Sequence, residues 1–229
     1  MISIFLPIRK GSKRIKNKNI KPLPHHKFGL TELKIYQLKK LKKKLKKKLE
    51  IIVSTDCDRI KKYLLKFPWI KVNNRPKNLA TDDSLDKLIH YVPKICNGEF
   101  ILWTHVTSPL FNEKDYEKFI NDFFKKVNKK TKSAFSADRI QKFILNSERK
   151  WISHNRNQKK WPRTQDLQNF YIVNSAAFIA EREVYTKYRD RLCNNPLPLE
   201  SRTDSGFDID EIQDFNLLKK KIINKHAFR

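Results

Sequence analysis

The chain has 229 residues, 39% of them hydrophobic and 33% charged, with 51 Lys and Arg against 24 Asp and Glu for a formal charge of +27. That length and apolar content suit one domain with a substantial core, and the charge points to nucleic acid, an acidic membrane surface or an anionic substrate. The excess is mostly lysine spread along the chain without a basic tail, no apolar run spans a bilayer, and the first residues do not read as a signal peptide. Nucleic acid and membrane are therefore disfavoured as partners. Cys57, Cys96 and Cys193 form no CxxC pair and no HExxH is present, which argues against a zinc site and a disulfide framework and for a reducing cytoplasm.

In chain order, Ile2 to Leu6 is a short apolar strand that breaks at Pro7 into a loop carrying Arg9, Gly11, Ser12, Lys13, Lys18 and Asn19. A strand that ends in a basic, glycine-containing loop can hold a phosphate, because backbone N–H groups approach the anion and cations offset its charge. The competing reading is a lysine-rich loop in a lysine-rich protein.

Gly29 to Glu50 reads as a helix with leucines at three- and four-residue steps and lysines between them; the lysines form a solvated face or a surface for lipid or RNA. Ile51 to Asp56 reads as a strand, Asp58 to Phe67 as a helix and Trp69 to Val72 as a further short strand. Arg75 to Ser84 is a loop, with Ser84 as N-cap of a helix that runs to Cys96. A strand at Phe100 to Val106 stops in Thr107-Ser108-Pro109-Leu110, followed by a helix from Asn112 to Val127 and a strand from Ser133 to Ala137. The segment 138–170 has no helical period and reads as an excursion from the main sheet, with Trp151 and Trp161 as interface anchors or ordinary packing residues. Tyr171 to Ala180 returns to strand, Arg182 to Tyr188 to helix, Pro196 and Pro198 mark a loop, and Ile212 to Ile223 is helical.

Strand and helix in alternation define a doubly wound, mostly parallel α/β sheet, in which ligands bind beyond the C-terminal ends of the strands. Three polar strand ends meet there: the Arg9–Asn19 loop, Ser54-Thr55-Asp56, and His105 to Ser108. Asp208-Ile209-Asp210 adds a second motif. In an extended segment its carboxylates share one side while Ile209 packs inward, and two carboxylates with phosphate oxygens and water suit Mg²⁺. An acidic helix N-terminus, which Glu211 and Asp214 also fit, is the other reading.

These blocks resemble, in order and over nearly the whole chain, the CMP-acylneuraminate synthetases, or acylneuraminate cytidylyltransferases. LPIRKGSKRIKNKNIKPL is similar to that family's nucleotide loop, and IIVSTD, RPKNLATDDS, THVTSPL, NSAAFI and FDIDEIQDF to its later blocks. The Ser-Lys and Lys-Asn spacing of the first loop is closer to this branch than to the CMP-Kdo synthetases.

The resemblance implies a nucleotide-diphospho-sugar transferase fold and transfer of CMP from CTP to a nonulosonic acid. It implies Arg9, Lys13 and Lys18 on the phosphates, with Ser12 in the same loop, and Asn19 beside the nucleotide. Arg75 and Ser84 would read the cytosine, and Asp208 and Asp210 would hold Mg²⁺. Arg9, Lys13 and Asp210 would carry the chemistry, in a homodimer joined through the 138–170 excursion. Three departures alter the sugar side: His105 replaces the usual Gln, Phe111 the usual Arg, and Ile172 stands where an Arg often meets the sugar carboxylate. His105, Lys142, Arg163, Gln165 and Asn174 are left as the substrate-side set, with Lys142 and Arg163 as replacement cations. A Kdo-type acceptor, or a basic nucleic-acid-binding protein on the same fold, are the alternatives.

Overall fold

The computed structural model describes residues 1–45, 47–81 and 83–227. Seven strands form one sheet: β1 (Ile2–Pro7), β2 (Leu49–Thr55), β3 (Ile70–Asn74), β4 (Phe100–Thr104), β5 (Ser133–Ile140), β6 (Phe170–Glu181) and β7 (Leu197–Glu200), in the order β3-β2-β1-β4-β6-β5-β7. Among the described residues β6 alone runs antiparallel to its neighbours. The expected doubly wound, mostly parallel α/β fold is what the chain forms.

Alternation along β1 sets the layers. Ile2, Ile4 and Leu6 face one core, where they meet α1 (Gly29–Lys44), α2 (Asp58–Leu64), α4 (Glu113–Lys126) and α6 (Ile212–Ala227), while Phe5 faces a second core under α3 (Leu85–Ile95) and α5 (Arg182–Lys187). In the second core, Phe5 and Trp103 pack edge to face at 4.8 Å between ring centroids.

Several sequence-based boundaries shift. The helix expected to reach Glu50 ends at Lys44, because Leu49 and Glu50 pair with Ile2 and Ser3 as the first rungs of β2. Leu45 is already extended, with φ −82° and ψ 125°. The loop expected around Pro198 contains β7. Among the described residues this edge strand pairs only with β5, so a residue without an N–H is tolerated and Leu199 still reaches the core. Ser84 sits at the N-cap position of α3, but its hydroxyl donates to the Thr81 carbonyl at 2.7 Å and does not cap the helix.

The excursion is shorter than expected, because β5 extends to Ile140 and β6 starts at Phe170. Between them, Phe143, Trp151, His154 and Trp161 cluster, and the Arg156 guanidinium lies 5.2 and 5.3 Å from the two indole rings. Asn174 marks the break in β6 between its core half and this outer half. Its amide donates to Asp138 (2.9 Å) and Ser201 (3.0 Å), and its carbonyl accepts from Ser136 (2.6 Å).

Candidate active site

The sheet order reverses between β1 and β4, and the crevice beyond their C-terminal ends is where a doubly wound sheet takes its ligand. A cleft of about 650 Å³ opens there, lined from the first loop by Arg9, Lys13, Arg14 and Lys18.

The loop is held from below. Ile8 N–H donates to the Ser54 carbonyl (2.9 Å) and Lys10 N–H to the Asp56 carboxylate (2.7 Å), both at the end of β2. Gly11 turns at φ +86°, a conformation that favours glycine, and Ile15 and Ile20 plug the loop into the core. Asn19 closes it by donating to the Arg9 carbonyl at 3.2 Å, so Asn19 shapes the loop.

One wall is formed by Arg75, Leu79, Thr81, Ser84, Leu85 and Leu88. Arg75 is buried and donates to the hydroxyl and carbonyl of Ser54. Burial lowers its pKa to about 10, with Asp56 opposing, so it stays cationic at neutral pH. Apolar surface beside a fixed guanidinium suits a flat, polar-edged ring.

Opposite the loop lies the acidic pair. Ile209 packs in the core as the extended reading required, and its N–H donates to the Thr107 carbonyl at 2.8 Å. Lys18 Nζ donates to the Ile209 carbonyl at 2.6 Å and lies 3.7 Å from Asp210. Arg14 pairs with Asp210 at 2.7 Å and with Glu211 at 3.3 Å. The helix-start role belongs to Asp214, which accepts from the N–H groups of Asp210 (2.9 Å) and Glu211 (2.7 Å).

Asp208 is mostly buried. Burial raises its pKa and the Asp210 charge adds to the rise, while the Thr107 hydroxyl, Lys18 and the Ile209 N–H oppose it. Its Oδ1 is buried and has no hydrogen-bond partner among the described residues. A buried, partnerless carboxylate oxygen next to a second carboxylate fits a hard divalent cation. Among the described residues no group of three or more His, Cys, Asp or Glu could hold one, so phosphate and water oxygens would complete the shell.

The far wall is Trp103 and His105. The indole N–H donates to His105 Nε2 at 3.0 Å, which leaves the ring proton of the neutral imidazole on Nδ1. Burial drives the His105 pKa down to about 3, and Arg191, Lys34 and Arg75 push the same way, so it is a neutral donor across the physiological range.

Of the residues expected here, Arg9, Ser12, Lys13, Lys18, Asn19, Arg75, Ser84, His105 and Asp210 line this cleft, with Asp208 adjoining Asp210. Lys142, Arg163, Gln165 and Asn174 do not line it. Lys142 is exposed, Arg163 pairs with Asp166 at 3.0 Å, and the Gln165 carbonyl accepts from Gln141. Asn174 instead ties β5 to the 201–206 loop. Phe111 is in the core and Ile172 is exposed on outer β6. Arg14 and Thr107 lie in segments expected at the site but were not singled out, and Trp103 was read only as part of a strand. Arg14 adjoins Lys13 in the basic loop, and the other two flank His105.

A family model described as cytidylyltransferase matches residues 3–222, and the chain belongs to that family. It is 26% identical over 223 residues to proteins named N-acylneuraminate cytidylyltransferase from Streptococcus agalactiae serotypes III and Ia, a match that covers 92% of this chain. The chain spans about half the length of these relatives, 51%. A structure of CMP:2-keto-3-deoxy-manno-octonic acid synthetase complexed with CTP shares the fold, with a TM-score of 0.64 at 15% identity over 98% of this chain and 99% of that one. So does the 4-diphosphocytidyl-2C-methyl-D-erythritol synthase of Anaerococcus prevotii, at TM-score 0.63 and 14% identity over 96% and 95%.

Proposed function

We propose that the chain transfers CMP from CTP to the anomeric C2 hydroxyl of a nonulosonic acid. The observation that carries this reading is the meeting of the basic first loop with the acidic pair, Arg14 and Lys18 both against Asp210, at the sheet's reversal point. The names of the sequence relatives support the acceptor class.

Arg9, Lys13, Arg14 and Lys18 hold the triphosphate, and Arg75 with the apolar wall holds the cytosine. The C2 oxygen attacks the α-phosphorus in line; the new C2–O–P bond forms as the bond to the β-phosphate oxygen breaks, the hydroxyl proton leaves to solvent and pyrophosphate departs. Positioning and charge neutralisation are the main contributions of these residues. A divalent cation such as Mg²⁺ held by Asp208 and Asp210 supplies further charge stabilisation for the phosphates when bound.

The chain acts in this reading as a cytoplasmic homodimer. Trp161, Ile172 and Val173 on the excursion and outer β6 are exposed and would be covered by a second copy, which would also bring Lys142, Arg163 and Gln165 towards a neighbouring cleft. Among the described residues, no helix is long and apolar enough to cross a membrane.

The test is pyrophosphate release from CTP and Mg²⁺ with a panel of nonulosonic acids and Kdo. Turnover with a nonulosonic acid, reduced roughly a hundredfold or more in Lys13→Ala, supports the assignment. Undiminished synthesis by Lys13→Ala refutes it. Turnover with Kdo alone transfers the assignment to that acceptor.

A further inference from the structure

A second hollow adjoins the turn that follows β4. It has a volume of about 610 Å³ and shares no lining residue with the cleft. Its walls come from α1, from the turn and the first residues of α4, from the loop after β7 and from α6. Thr107 lines the cleft, whereas Pro109 and Leu110 line this cavity, so the turn is the partition between the two.

The buried face of α1 supplies the polar group at its base. Lys34, Gln37 and Leu41 follow one another at three- and four-residue steps on that face. Gln37 is 7% exposed, and its Nε2 donates to the Pro109 carbonyl at 2.7 Å. That bond assigns the two ends of the amide and ties the turn to the helix. The acceptor end, Oε1, is buried and has no hydrogen-bond partner among the described residues. An unpaired buried carbonyl oxygen is costly, and native structures keep few of them. Gln37 belongs to the cavity lining, so an N–H or O–H of a molecule seated there completes it.

Charge narrows the occupant. Four cations line the cavity, Lys40, Lys114, Arg202 and Lys221, against the two carboxylates of Glu113 and Asp204. Arg202 is engaged by Asp115 at 3.1 Å and Lys221 by Asp204 at 3.2 Å. The ammonium groups of Lys40 and Lys114 are exposed and have neither an ion pair nor a hydrogen bond among the described residues. Leu33, Leu110, Leu218 and Ile222 supply apolar wall. A buried acceptor, an apolar wall and two cations without partners suit a small organic anion that also carries a hydrogen-bond donor.

We propose that this cavity is a second ligand site, separate from the cleft, for a small hydroxylated organic anion. Gln37 Oε1 accepts from its hydroxyl, and Lys40 and Lys114 meet its phosphate or carboxylate. The inference does not depend on which acceptor the cleft takes.

The experiment is titration calorimetry on the full chain with glucose 6-phosphate, gluconate, neutral glucose and inorganic phosphate. At least one of the two hydroxylated anions should bind tighter than both glucose and inorganic phosphate by roughly tenfold or more. The tighter of the two identifies the anionic group as phosphate or carboxylate. Combining Lys40→Glu with Lys114→Glu should weaken that binding by roughly tenfold or more, Gln37→Met should weaken it as well, and Lys13→Ala in the cleft should leave it unchanged. Absence of binding by either anion at millimolar concentration overturns the inference. Inorganic phosphate binding as tightly as the organic anions marks an adventitious ion only and also overturns it. So does binding that Lys13→Ala weakens more than the double charge reversal does, which would place the anion in the cleft. Undiminished binding by a folded Gln37→Met removes the acceptor from the site and overturns the inference too. If Gln37→Met does not fold, the double charge reversal at the two exposed lysines decides alone.

Discussion

Lys34 offers the sharpest test of how the framework beneath the cleft is held. It lies on the buried face of α1, four residues from both Leu30 and Leu38, and is fully buried. Its three protons meet three acceptors: the carbonyls of Ser108 (2.9 Å) and Phe111 (3.0 Å) and the hydroxyl oxygen of Tyr116 (2.9 Å). Burial lowers its pKa from 10.5 to about 7, against the opposing charge of Asp115, which is itself paired with Arg202 at 3.1 Å. Because the folded pKa is depressed, the unfolded chain binds more protons between pH 7 and pH 10.5, and stability rises with pH across that window. At about 1.4 kcal/mol per unit, the full cost is about 5 kcal/mol below pH 7, and roughly half of it is relieved between about pH 6 and pH 9. Lys34→Met removes the titration and leaves the acceptors without their donor at every pH. The stability of wild type minus that of Lys34→Met should therefore rise by about 2–3 kcal/mol from about pH 6 to pH 9 in urea denaturation followed by tryptophan fluorescence. Parallel curves for the two proteins would show that the ammonium is not desolvated and would refute the reasoning.

Two further outcomes follow from the same geometry. Gly29→Ala should destabilise the chain by about 2 kcal/mol or more and lower its thermal midpoint, because φ is +62° there and an added Cβ would lie 2.2 Å from the Lys21 carbonyl oxygen. Asp208→Asn should keep or raise the thermal midpoint, since it removes a buried charge whose Oδ1 has no partner among the described residues, yet, on the proposed function, lower turnover with CTP and Mg²⁺ by roughly a hundredfold or more.

The sheet was legible because its strands are short, continuous apolar runs separated by helical periods, the pattern of strands buried on both faces. Tertiary pairing overrode the local signal twice. Leu49 continues the leucine stripe of α1, yet it pairs with Ile2, and Pro198 reads as a breaker but falls on an edge where no second ladder is needed. The basic wall of the cleft was legible because its cations crowd into one loop. Lys34 was not, since what distinguishes a buried cation from a solvated lysine is its partners, and these come from α4 and the turn after β4. Lys34 did carry a signal in its spacing from Leu30 and Leu38.

The contact between Lys18 and Ile209 joins residues 191 positions apart, and that between Arg14 and Asp210 joins residues 196 apart. The basic first loop emerges early in synthesis, but the segment that receives it emerges only after every strand of the sheet. A nascent chain can therefore pair β1, β2, β3 and β4 while its cleft still lacks the acidic wall. The cleft acquires both its walls only in a chain made at least through Asp210, so a prematurely ended product keeps the lysine-rich loop without the two carboxylates that face it.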